Sequence, residues 1–127
     1  MAIEPVIRCS EINRSLKFFT EILDFTVVTP PDPDPEEFMS KYALLERNGD
    51  LVHLSSHAGD GQYGNLIYVR VENLDQLFSS FVSNGLNTKD LGETSALRGG
   101  PVDQTWGMRE FWVNDPDRNV VRFGQSI

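Results

Sequence analysis

The stretch TWGMREFWVNDPDRNVVRFGQ, Thr105 to Gln125, alternates apolar and polar residues, breaks at a turn around Asp115-Pro116, and resumes alternating. Strand side chains point by turns to opposite faces, so the pattern predicts a hairpin over Met108 to Gln125. Phe111, Val121 and Phe123 fall on one face, and Glu110, Trp112 and Arg122 on the other. The second face thus carries a fixed cation beside an aromatic ring and a carboxylate.

Working back from the hairpin, the chain offers the same sequence of elements twice. Ala2 to Cys9 is expected as a short strand with Pro5 at an edge or bulge, and INRSLKFFTEILDF follows with Ile12, Leu16, Phe19, Ile22 and Leu23 at helical spacing. Phe25 to Val28 is a second strand, ended by the surface loop PPDPDPEE, whose prolines forbid a helix. Tyr42 to Arg47 and Leu51 to Ser56 flank Asn48-Gly49-Asp50, where Asn-Gly supplies the positive φ of a tight hairpin. After the connector HAGDGQYGN the order restarts with a strand over Leu66 to Val71. A helix follows, with Leu74, Leu77, Phe78, Phe81 and Val82 on one face, opened by a capping box of Asn73 and Gln76 and closed by Gly85. Thr88 to Leu91 is expected as a short strand and Gly92 to Gln104 as a long loop. Ile7, Arg8, Cys9, Ile12, Leu16 and Phe19 align at one constant offset with Val69, Arg70, Val71, Leu74, Phe78 and Phe81, and internal duplication is the simplest account.

The 127 residues, 39% of them hydrophobic, suit a single domain that buries roughly two thirds of its unfolded surface. No apolar run approaches the ~20 residues that span a bilayer, and the N-terminus lacks a basic segment followed by an apolar one, so a cytoplasmic protein without membrane contact is expected. The net charge of -8 argues against nucleic acid, whose phosphates are held by clustered Lys and Arg, and favours a cationic partner. The single Cys9 excludes an internal disulfide and is expected as a buried, inert thiol. No Ser or Cys has a His and a carboxylate in a nucleophile setting, and GDGQYG lacks dinucleotide spacing, so no catalytic residue is assigned.

Two βαβββ modules, together with SEINRSLKFFTEILDF, LVHLSSHAGDGQYGN and WGMREFWVNDPDRNVVRFG, resemble the vicinal oxygen chelate superfamily. More narrowly, they are similar to the bleomycin-binding subgroup of its glyoxalase and bleomycin resistance branch. The resemblance covers the whole chain and implies an α+β fold, 1–127, with pseudo-repeat modules over about 1–58 and 64–127 and a curved sheet with helices outside. Relatives carry Gly where this chain has Asp24 and Arg118, both at places where positive φ is common. Parity then turns Ile7, Cys9, Val52, Leu54, Ile67 and Val69 toward the helices. It turns Glu4, Arg8, His53, Ser55, Leu66, Tyr68, Arg70, Glu110, Trp112 and Arg122 into a binding cleft.

The superfamily's four metal-ligand positions fall on Glu4, His53, Leu66 and Arg122. Leu66 has no donor atom and Arg122 is a permanent cation, so no metal and no cofactor are expected. Glu4 with His53 is the weak alternative, with His57 able to join only if its loop folds back. The resemblance implies a homodimer that sequesters a flat, cationic antibiotic such as bleomycin and so confers antibiotic resistance. Its ligand residues here are Phe38, His53, Asp60, Tyr63, Tyr68, Trp106, Glu110, Trp112 and Arg122. Aromatic stacking holds the rings, and Asp60 and Glu110 meet the cation. The rival readings are a metal-dependent glyoxalase or dioxygenase-like lyase, and a carrier or sensor of a small metabolite.

Overall fold

The structure, a computed structural model, describes residues 1–88 and 100–127. It resolves into two compact units, one of residues 1–65 with 115–119, the other of residues 66–114 with 120–127.

In the first unit β1 (Val6–Arg8) leads to helix α1 (Ile12–Lys17), followed by β2 (Thr26–Thr29), β3 (Tyr42–Arg47) and β4 (Asp50–Ser55). The sheet order is β1-β4-β3-β2, with β1 parallel to β4 and the other pairs antiparallel. The turn between β3 and β4 forms as its residues require: Asn48 has φ 53° and Gly49 φ 88°, the paired positive values that match the twist of a two-residue hairpin. Ile7, Cys9, Ala43, Leu45 and Leu54 are buried on the face that meets α1, together with Phe19 and Leu23.

The second unit repeats the plan. Strand β5 (Leu66–Arg70) precedes helix α2 (Leu74–Ser83), then β6 (Val102–Asp103), β7 (Met108–Asn114) and β8 (Val120–Ser126). The order is β5-β8-β7-β6, again with the first strand parallel to the last. Phe111 opposes Phe123 across the hairpin with stacked rings 5.0 Å apart, and Phe81 of α2 packs against both. Each unit is therefore a βαβββ module of an α+β fold.

Several expectations change. The first strand pairs only over Val6–Arg8, because Pro5 has no N–H and enters the ladder through its carbonyl alone, accepting from the His53 amide at 2.9 Å. The helix over 12–23 is not uniform: α1 passes into a π-helical turn over Phe18–Ile22, with the Leu23 amide donating back to Phe18. The wider turn buries Ile12, Ser15, Phe19 and Leu23, leaving Leu16 and Ile22 half-buried. The capping box at Asn73 does not form. Asn73 makes no side-chain cap, and the Leu74 amide instead donates to the Gln125 carboxamide oxygen of β8 at 3.0 Å. Residues 102–103, expected within a loop, form the edge strand β6 against Arg109 and Glu110. The strand expected over Thr88 to Leu91 lies, apart from Thr88, outside the described residues. Asp24 and Arg118 do adopt positive φ, 60° and 63°.

Candidate functional site

Each sheet keeps one face for its helix, and the alternate residues of the same strands make the candidate binding face. On the first sheet His53 and Ser55 of β4 stand beside Leu44 and Tyr42 of β3 and beside Val6 and Arg8 of β1. His53 is fixed at both ring nitrogens: Nδ1 bonds the Tyr42 hydroxyl and Nε2 bonds Glu4 Oε1, both at 2.7 Å. A carboxylate can only accept, so Nε2 carries the proton and the phenol donates to Nδ1, giving a Tyr42–His53–Glu4 chain. Burial holds the Tyr42 phenol above the ordinary tyrosine range, and the Asp60 and Glu4 carboxylates push it the same way.

Beyond β4 the connector folds back on its own sheet. Ser55 Oγ donates to Asp60 Oδ2 at 2.7 Å, and Arg8 donates to the His57 carbonyl. The Arg8 guanidinium also lies 5.1 Å from the centre of the Tyr63 ring, a cation–π distance. Phe38 stacks on the His57 ring with centroids 4.0 Å apart, and His57 Nε2 donates to the Phe38 carbonyl at 2.8 Å. His57 is thereby committed to pinning the proline-rich loop rather than to Glu4 and His53. Phe38 remains 67% exposed and Tyr63 50% exposed, which is unusual for rings of this size.

On the second sheet Tyr68, Arg122 and Trp112 lie in register across β5, β8 and β7, two residues along each strand from Arg70, Gly124 and Glu110 on the same face. Tyr68 reaches diagonally over Gly124, where a Cβ would collide with the phenol, and donates to Glu110 Oε2 at 2.7 Å. Glu110 is 1% exposed, and its second oxygen has no partner. Burial raises the Tyr68 pKa first and the bond to Glu110 raises it further, while the Arg70 and Arg122 guanidiniums pull it down. The Arg122 guanidinium sits 4.1 Å above the Trp112 ring. Trp106 stands 60% exposed in the turn before β7.

The sequence-based residues therefore gather into local groups: Glu4 with His53, Asp60 with Ser55, and Phe38 and Tyr63 around the connector in the first unit; Tyr68 with Glu110, and Trp112 with Arg122, in the second. Tyr42 and Gly124 carry parts that the sequence did not reveal. A glycine inside a strand is itself a sign of close approach by another group, and Gly124 has that role.

The four positions that would hold a divalent ion do not form a donor set. His53 has both nitrogens engaged, Leu66 is hydrocarbon, and Arg122 is cationic. Among the described residues no group of three His, Cys, Asp or Glu side chains could hold a metal ion. No helix among them is long and apolar enough to cross a membrane.

Two βαβββ modules with polar and aromatic residues on the face opposite the helices define the class. The chain belongs to the Glyoxalase/Bleomycin resistance protein/Dioxygenase superfamily, whose family profile matches residues 3–123. It is 25% identical to a bleomycin resistance protein of Geobacillus stearothermophilus, over 97% of this chain and 95% of that one. Its fold is similar to that of a bleomycin-binding protein solved in complex with bleomycin, with a TM-score of 0.73, 18% identity, and 100% and 99% of the two chains covered. It is equally similar in fold to a glyoxalase-related enzyme from Clostridium phytofermentans, with a TM-score of 0.73, 22% identity, and 100% and 95% covered.

Proposed function

We propose that the protein is a metal-free, non-enzymatic binder that sequesters a flat, cationic antibiotic of the bleomycin kind, acting as a homodimer in the cytoplasm. The observation that carries this reading is the set of large aromatic side chains held out in water, Phe38, Tyr63 and Trp106, each at least half exposed. Water-facing rings of that size gain when a flat heteroaromatic ligand covers them, by about 1 kcal/mol per stacked pair beyond the area buried. The similarity to bleomycin resistance proteins along nearly the whole chain supports the same ligand class. The net charge of -8 supports a cationic one.

Within this reading Trp106 and Phe38 are the stacking rings, Tyr63, Tyr68 and Trp112 extend the aromatic surface, and Asp60 meets the cationic tail. His53 and Arg122 face the ligand as polar groups, whereas Glu110, expected as a cation partner, is buried beneath Tyr68 and acts by holding its hydroxyl. A second copy completes the groove and covers sheet edges that one chain leaves open. Calorimetric titration with metal-free bleomycin tests the proposal. Micromolar or tighter binding, about -8 kcal/mol or better, is expected, with tryptophan quenching that weakens in Trp106→Ala and Trp112→Ala and with added salt. No heat and no quenching would move the function to another small metabolite, and a monomer by sedimentation at micromolar concentration would remove the intermolecular groove.

A further inference from the structure

The chain has an excess of acidic groups, yet the binding face of the second sheet runs against that balance. Three described side chains on it are charged: Arg70, Arg122 and Glu110. Among the described residues neither arginine pairs with a carboxylate. The described ion pairs are those of Arg14 with Asp117 and of Arg109 with Asp75 and Asp103. Glu110 is turned to the Tyr68 hydroxyl, and Arg70 donates to the Ser126 hydroxyl at 3.1 Å.

Arg122 is the more informative of the two. Its guanidinium lies 4.1 Å over Trp112, so the plane is held by stacking and not by an acceptor. Its Nε and the indole Nε1 of Trp112 are both buried and both without a hydrogen-bond partner. These two residues face each other directly across β7 and β8. Two buried N–H donors left unpaired cost roughly 1–3 kcal/mol each. The pair is donor-rich and positively charged, and has no acceptor among the described residues.

We infer that Arg122 and Trp112 form an oxyanion subsite, which takes a carboxylate or similar anionic oxygen group carried on a flat ring, with Arg70 as a second cation at its side. The planar guanidinium fork matches two oxygens of a carboxylate, and the aromatic surface of Trp112 and Tyr68 suits the ring that bears it. Both guanidiniums act on the Tyr68 phenol, which places their fields on the same patch of the face. The subsite goes beyond the binding of a cationic antibiotic and does not depend on it.

The test compares benzoate with benzamide, which share ring and size and differ in charge. Titration of the unaltered protein, followed by NMR at the Trp112 indole N–H and the Arg122 Nε–H, should show benzoate binding about 10-fold more tightly, equivalent to 1.4 kcal/mol. Arg122→Gln should bring the two dissociation constants within about 2-fold of each other, whereas Arg14→Gln, which removes an arginine of the first unit, should keep the preference. Equal affinities in the unaltered protein, or a preference retained in Arg122→Gln, would overturn the subsite. Because the first comparison needs no variant, a failure of Arg122→Gln to fold does not shield the inference. Benzoate preference without bleomycin binding would sink the antibiotic reading alone, and bleomycin binding without benzoate preference would sink the subsite alone.

Discussion

The ring carbon that bears the Tyr68 hydroxyl lies 2.5 Å from where a Cβ on residue 124 would stand, so glycine at that position is what lets Tyr68 reach Glu110. Gly124→Ala should swing the ring outward, since its exposed side is open, and leave Glu110 buried with neither oxygen bonded. The expected loss is about 1–3 kcal/mol, read as a lower denaturant midpoint with an unchanged slope. Tyr68→Phe should cost a similar amount, and the double variant little more than either alone, because both remove one bond.

The alkaline limb of stability should be steep. Burial pushes the Cys9 thiol up from 9.0 to about 11, with the nearby Ser15 hydroxyl opposing and Asp117 and Asp115 adding to it, and Tyr42 and Tyr68 are also raised. A raised folded-state value means the folded chain keeps its proton longer than the unfolded one. The stabilisation is therefore full below pH 9 and lost as pH rises through about 11. Urea midpoints at pH 8 and 11 check this, and Cys9→Ala should flatten the fall. A thiol reagent at pH 8 should modify Cys9 no faster than the protein unfolds.

Arg118 occupies φ 63°, a left-handed conformation that costs a residue with a Cβ roughly 1–2 kcal/mol. Its side chain is exposed, and the turn is held by backbone bonds, the Arg118 amide donating to Asp115 at 3.0 Å. Arg118→Gly should therefore raise the thermal midpoint by a few degrees. Arg118→Val should lower it.

Metal removal should change nothing. With His53 engaged at both nitrogens, protein stripped with a chelator and then exposed to zinc, nickel, manganese or ferrous iron should retain less than stoichiometric ion by elemental analysis. About one tightly held ion per chain, lost in Glu4→Ala and His53→Ala, would contradict the metal-free reading.

Features written in local rules were legible in the sequence. Alternation gave the β7–β8 register face and Asn48-Gly49 gave a hairpin that only positive φ allows, whereas Asp24 and Arg118 were marked as positive-φ positions by the resemblance to relatives that carry Gly there. Features that join distant residues were not. Gln125 caps a helix whose first residue lies 51 positions away, displacing a capping box that looked sufficient locally. The Tyr68–Glu110 bond depends on the register of three strands and on one missing methyl group. Likewise, Phe38 and His57 could not be paired from sequence, because a proline-rich loop carries no period that fixes where its end returns.

The turn of residues 115–119 carries a consequence for synthesis. It belongs to the first unit, where Asn119 donates to the Arg8 carbonyl and accepts from the amides of Gly64 and Asn65, and Asp117 holds Ser10 and Arg14. A ribosome delivers the N-terminal module long before it delivers this turn. The nascent module lacks its clasp until the strands of the second unit up to Asn114 have also been made, so its first strand is exposed to mispairing over that interval.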